Sequence, residues 1–233
     1  MNRRHFLAAG TILALACGLP LRAQAGTATE TLPAGKVFAY LSNYYSLPPA
    51  ERAHFRMAYV LFARSGKIDQ ISLTLTIGAA SLPIRADSAG TLSPLPTAQQ
   101  LKGDVILTRP DNMPANAYGV GLTFTPSAVL QQTMEAGSLN LSIVETLKGA
   151  KKAAGLLSVA VPNFDRIAAF GVNSGQVRLA SGEVKSLPVV AAFTDKDGQA
   201  HKARVMYVPA DWPTAQSVNF NTVPTRLIIM PKG

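Results

Sequence analysis

Residues 71–77 read Ile-Ser-Leu-Thr-Leu-Thr-Ile, an unbroken alternation of apolar and hydroxyl side chains. A period of two sends Ile71, Leu73, Leu75 and Ile77 to one face of an extended chain and the hydroxyls to the other; on a helix the same residues would scatter around the axis. The rest of the chain repeats the theme in short pieces. Strands are expected at 55–63, 68–77, 82–86, 104–109 and 118–125, and again at 167–172, 176–180, 184–193, 203–208, 217–221 and 226–230. Segments rich in Gly, Pro, Asp and Asn separate them. Ser65-Gly66-Lys67, Ala180-Ser181-Gly182-Glu183 and Asp195-Lys196-Asp197-Gly198 have the composition of hairpin turns. Hairpins join antiparallel neighbours, so the expected class is α+β, mainly antiparallel β.

The middle of the chain changes period. Thr125-Pro126 offers an N-cap and a first-turn proline for a helix closed by Gly137. From Ser138 the apolar residues Leu139, Ile143, Leu147, Ala150, Ala154 and Leu157 step by threes and fours, one stripe of a longer helix. Asn140, Ser142, Glu145, Lys148, Lys151 and Lys152 fall away from it. Gly137 between the two predicts a packed helical pair. A shorter helix is expected at 36–45 and another starting over Leu47 to Arg52, where Pro48-Pro49 suits a first turn and Glu51 the positive helix end. The expected architecture is an N-terminal helical segment (26–54), a β-rich sandwich-like unit (55–125), the central helical pair (126–162) and a second β-rich unit (163–233). Proline pairs at Pro110/Pro114 and Pro209/Pro213, each between strands, hint at a duplication of the two β-rich units.

Residues 1–25 follow a different logic. Arg3 and Arg4, then Phe6 and Leu7, are what a twin-arginine export signal looks like. The apolar run over 6–19 is shorter than the roughly 20 residues a membrane span needs. Pro20 stops it, and Ala23 and Ala25 form a small-x-small cleavage site before Gly26. The reading is a cleaved signal peptide, with the twin-arginine translocase as partner during export and the periplasm as destination. Leu13-Ala14-Leu15-Ala16-Cys17-Gly18 resembles a lipoprotein box and opens an alternative, a chain lipid-anchored at Cys17. Ala14 fits that box poorly, and the 20–25 segment would be left without a purpose. The leader is similar to those of exported periplasmic proteins of proteobacteria that begin Arg-Arg-x-Phe-Leu. The resemblance covers residues 1–25 and carries no functional residue over to the rest.

Removing the leader takes three of the 22 Lys and Arg and none of the 13 Asp and Glu, which leaves 208 residues at +6. It also takes the only cysteine, so disulfides, thiolate metal sites and cysteine nucleophiles are excluded from the mature chain. An exported chain with no basic run interleaved with aromatics does not read as a nucleic-acid binder. Nothing after the leader is long and apolar enough to span a membrane.

The chemistry-bearing residues are few. Glu51-x-x-His54 has the spacing of a di-iron helix motif but lacks a second copy and further carboxylates, so it reads as a surface pair. His201 follows Asp195, Asp197 and Gly198, which lack the third acidic ligand and closing Glu of a calcium loop. Gly119-Val120-Gly121 lies in a strand pattern, not a phosphate loop. No nucleophile elbow or Ser-x-x-Lys occurs. No catalytic residue, metal ligand or cofactor is therefore assigned. Lys148, Lys151 and Lys152 form a basic patch suited to an anionic surface or to the negative end of the helix. Trp212 and Tyr118 are the aromatic candidates for lining a ligand site. These readings point to a non-enzymatic periplasmic protein that binds a protein partner or an apolar or lipid ligand between sheet and helices, or serves an envelope complex. The alternative is a hydrolase assembled from scattered Ser, His and Asp residues, with His54 or His201 as base.

Overall fold

The structure, a computed structural model, describes residues 26–64, 66–114, 117–194 and 200–232. The export-signal and processing residues Arg3, Arg4, Phe6, Leu7, Cys17, Ala23 and Ala25 lie outside the described residues, as do Ser65, the turn at 195–198 and the side chain of His201.

Strand β1 (Thr27–Pro33) runs into two short helices, α1 (Ala34–Val37) and α2 (Leu41–Tyr45). After a 3-10 turn at Pro49–Arg52 come β2 (Phe55–Ala63), β3 (Ser72–Ile77), β4 (Ala80–Ala86), β5 (Leu92–Ser93), β6 (Asp104–Pro110) and β7 (Tyr118–Pro126). The short β8 (Thr133–Glu135) leads into the long helix α3 (Ala136–Ala154), which tightens to 3-10 over Gly155–Ala160. The second half contributes β9 (Phe164–Phe170), β10 (Gly175–Leu179), β11 (Val184–Ser186), β12 (Val189–Val190) and β13 (Phe193–Thr194). It ends with β14 (Ala200–His201), β15 (Arg204–Tyr207), β16 (Ala215–Phe220) and β17 (Arg226–Pro231).

These strands form a five-stranded sheet in the order β1-β6-β3-β4-β5, a six-stranded sheet β12-β15-β9-β17-β7-β2, a four-stranded sheet β11-β10-β16-β8 and the hairpin β13-β14. The pairings among the described residues are antiparallel, so the chain is α+β and mainly antiparallel β, as its alternation requires. Stretches 55–125 and 163–233 share the six-stranded sheet: β2 and β7 lie beside β17, β9, β15 and β12. Each proline pair marks a crossing between sheets, from β6 to β7 in one case and from β15 to β16 in the other.

The six-stranded sheet packs one face against α3. Phe55, Met57, Tyr59 and Leu61 of β2, Phe124 of β7, Ile167 of β9 and Leu227 and Ile229 of β17 belong to one buried core with Leu139, Ile143 and Ala150 of α3. Helix α3 also touches β8 and β16, so it bridges two sheets. Its buried side includes Ser142 and Thr146, whose hydroxyls donate to the carbonyls of Leu139 and Ser142 at 2.7 Å each. That local bonding lets polar residues occupy core positions.

The central helical pair resolves into one helix. Pro126 ends β7 opposite Phe55, residues 127–132 are irregular, and β8 follows. Val129 is exposed and only Ala128 of this stretch packs on the core, too little apolar surface to seat it as a helix. Tyr40 adopts φ 67° and splits the expected 36–45 helix, because Phe38 and Leu41 must both reach the core. Residues 68–77 begin as a 3-10 turn at Ile68–Gln70 before the strand. Pro188, which has no amide to donate, interrupts 184–193 where the chain passes from β11 in one sheet to β12 in another. Leu157 is not on the helix stripe: α3 ends at Ala154, Gly155 turns at φ 56°, and the register is lost.

Candidate functional site

Period-two alternation decides what faces α3. Met57 and Phe124, paired across β2 and β7, point to the helix side, while Arg56, Ala58, Thr123 and Thr125 point to the opposite face. Toward the C-terminal end of α3 the helix side is not filled. Ala150, Ala153 and Ala154 present only methyl groups there, and a groove of about 240 Å³ remains beside them, lined also by Met57, Phe124 and Phe164. Every side chain lining it is apolar except Tyr40.

Gly155 closes α3 in a left-handed conformation open to glycine, its amide donating to the Lys152 carbonyl. The turn that follows sends Leu157 to the groove and leaves Leu156 and Val159 99% and 95% exposed. Single exposed leucines are ordinary; two apolar side chains in free solvent beside an apolar groove are not. On the outer side of α3, exposed Leu141 and Val144 are followed at helical spacing by Lys148 and Lys151. The surface therefore reads apolar, basic, apolar along its length.

Lys148, Lys151 and Lys152 do lie together on that exposed side. Lys152 is engaged, its ammonium 2.7 and 2.8 Å from the two carboxylate oxygens of Glu51. Among the described residues no carboxylate comes within 4.0 Å of Lys148 or Lys151. Glu51 and His54 do not act on each other. Both clamp onto α3, the second through Glu145, which takes the His54 backbone N–H at 2.9 Å on one oxygen and lies 2.6 Å from Nδ1 with the other. No hydroxyl partners the imidazole among the described residues.

The two aromatic candidates are placed apart from the groove. Trp212 packs half-buried on the core after the Pro209–Asp211 turn, with its indole N–H buried and unpartnered among the described residues. Tyr118 donates its hydroxyl to Glu30 at 2.9 Å, and Arg109 donates from Nε and Nη2 to the same carboxylate at 3.3 and 3.0 Å. These hydrogen bonds, Arg109 first, hold the Glu30 carboxyl below the usual carboxylate range. Burial, aided by Glu30, pushes the Tyr118 phenol up. The cluster ties β1, β6 and β7 together.

Leu156, Val159 and Phe164 were not legible as site residues. The available signal was Gly155 followed by Leu-Leu-Ser-Val-Ala, apolar residues placed after a helix breaker with neither helical nor strand period. Among the described residues no helix is long and apolar enough to cross a membrane, and no three His, Cys, Asp or Glu side chains gather as a metal would require. Compared with known proteins, the chain matches no family model, no curated protein and no solved structure.

Proposed function

We propose that the chain is an exported envelope protein that docks on an anionic membrane surface through the Gly155–Ala160 turn and takes a single acyl chain into the groove beside α3. The observation that carries this reading is the continuity of an apolar groove with a turn whose Leu156 and Val159 stand in open solvent. Export is supported by the order of Arg3, Arg4, Phe6, Leu7, Ala23 and Ala25 in the leader.

Magnitudes rank the forces. Burying Leu156, Leu157 and Val159 contributes at most about 1.5–3 kcal/mol each. Lys148 and Lys151 add about 1 kcal/mol each at an anionic surface. Apolar insertion therefore dominates, and salt weakens docking without abolishing it. The groove lies below the roughly 300–1,000 Å³ of sites for compact ligands, which suits one linear chain.

Flotation with vesicles tests the docking. The protein is expected to float with phosphatidylcholine vesicles containing phosphatidylglycerol and less with phosphatidylcholine alone. Leu156→Asp combined with Val159→Asp should abolish flotation with an unchanged circular dichroism spectrum, since both side chains touch only solvent. Equal flotation of that variant, or none by the unaltered protein, overturns the membrane reading in favour of a protein partner on the same turn. Ala154→Phe fills the groove and should remove lipid carried by the protein in native mass spectrometry. Intact mass settles processing: the expected N-terminus is Gly26, and a lipidated Cys17 would replace it with an anchored form.

A hydrolase is the second reading, favoured by the His54–Glu145 contact alone, in which a carboxylate on Nδ1 orients the imidazole for work as a base at Nε2. Unchanged turnover of p-nitrophenyl acetate in His54→Ala would end it.

A further inference from the structure

The face of the six-stranded sheet turned away from α3 carries a second cleft, of about 590 Å³, between β2, β7, β17 and the turn joining β4 to β5. Its cations come from three separate strands or loops: Arg56, Lys202 and Arg226. Asp87 is the one carboxylate in its lining, and its Oδ1 is already committed to the backbone N–H groups of Ala89 and Thr91, both at 2.8 Å. Among the described residues no carboxylate lies within 4.0 Å of Arg56, Lys202 or Arg226.

Arg226 is held in place without being neutralised. Its guanidinium lies 5.0 Å over the ring of Phe170, its partner in register on β9, and Nη1 reaches the Ala89 carbonyl at only 3.4 Å. Its Nε is buried with no partner among the described residues. Burial pulls the Arg226 guanidinium below its usual range, with Asp87 opposing only in part. The surrounding turn is rigid: Gly90 accepts the Leu61 amide at 2.8 Å, and Thr91 bridges to Val60. The hydroxyls of Ser88, Thr91, Thr123, Thr125 and Ser127 also line the cleft and have no protein partner among the described residues. Three cations with a single carboxylate near them among the described residues, beside hydroxyls with no protein partner there, make a surface complementary to an anion that also carries hydrogen-bonding groups.

We infer that this cleft binds a small polyhydroxylated anion, a sugar phosphate or a sugar acid, with Arg56, Lys202 and Arg226 on the anionic group and the Ser and Thr hydroxyls on the sugar. The size falls inside the roughly 300–1,000 Å³ usual for small-molecule sites. The cleft and the groove lie on opposite faces of the sheet and share no lining residue, so neither site depends on the other.

Isothermal titration calorimetry of the protein with glucose 6-phosphate, glucuronate, glucose and inorganic phosphate tests it. Glucose 6-phosphate or glucuronate should bind while glucose stays silent, and whichever binds more tightly identifies the anionic group. Arg56→Gln, Lys202→Gln and Arg226→Gln should each weaken binding roughly ten-fold or more, the loss expected for one charged hydrogen bond. Arg56 and Lys202 are exposed, so their variants keep the fold even where Arg226→Gln disturbs it. Equal affinity for glucose would overturn the anion, equal affinity for inorganic phosphate the hydroxylated body, and unchanged affinity in both Arg56→Gln and Lys202→Gln the cleft itself.

Discussion

Gly137 and Gly149 both sit in α3, where alanine is the better helix former by up to about 1 kcal/mol. A β-carbon on Gly149 would stand 2.6 Å from Phe55 Cζ and 3.3 Å from Leu47 Cδ1. Phe55 has nowhere to go: Tyr44 and Phe124 pack edge-on against it with ring centroids 5.6 and 5.9 Å away. Gly149→Ala is therefore expected to destabilise by about 1–3 kcal/mol, the usual cost of overpacking, in spite of its propensity gain. At Gly137 nothing lies within 4 Å of the added carbon, so Gly137→Ala should gain between a few tenths and about 1 kcal/mol. Urea midpoints of the two variants should move in opposite directions; a shared direction would show that Phe55 yields. The sequence makes the propensity cost of Gly149 visible. It does not show the ring that makes glycine necessary, because Phe55 is 94 positions away in the chain and reaches α3 only through the sheet.

Strand β1 shows why some elements were legible and others not. The strands with a strong alternating pattern, β2 and β3 among them, declare themselves because one face is buried and the other is not. Strand β1 carries Leu32 as its one large apolar residue and has no residue fully buried, so nothing in Thr27–Pro33 announces a strand. It is held instead by its ladder to β6 and by Glu30, which takes hydrogen bonds from Arg109 and Tyr118. The stripe of α3 is legible only in part, because the buried hydroxyls of Ser142 and Thr146 look like surface residues until their local backbone partners are known. The candidate site was less legible still: Lys148 and Lys151 were visible, but the groove depends on strand register, which joins Met57, Phe124 and Phe164 across more than a hundred positions. The Glu30 cluster also sets a pH dependence. A carboxyl whose folded pKa is depressed contributes stability above its unfolded value, about 4.3, and loses it as pH falls through the folded value. Glu30→Gln should therefore lower the urea midpoint at pH 7, and the gap to the unaltered protein should close as pH is taken below about 4. A gap that persists undiminished into acid would mean that shape, not charge, fixes β1.

At the scale of the whole molecule, the six-stranded sheet divides the surface into two chemistries. Alternation at Arg56-Met57 and Phe124-Thr125 sends an arginine and a threonine to one face and two apolar side chains to the other. A chain docked by Leu156 and Val159 would therefore leave the basic cleft open on the side away from the bilayer. Two sites separated by a packed sheet and sharing no residue should behave additively, since coupling needs contact, a shared network or an element with two arrangements. Leu156→Asp with Val159→Asp should leave the affinity for glucose 6-phosphate unchanged, and Arg56→Gln with Lys202→Gln should leave insertion-driven flotation in high salt unchanged. Titrating glucose 6-phosphate with the protein free and vesicle-bound gives the direct comparison. Linkage requires that any effect of the vesicle on the sugar phosphate be matched by an equal effect of the sugar phosphate on the vesicle. Equal dissociation constants in the two titrations are expected. A difference of ten-fold or more would mean that the sheet transmits occupancy from one face to the other, and flotation measured at saturating glucose 6-phosphate would then have to shift by the same factor.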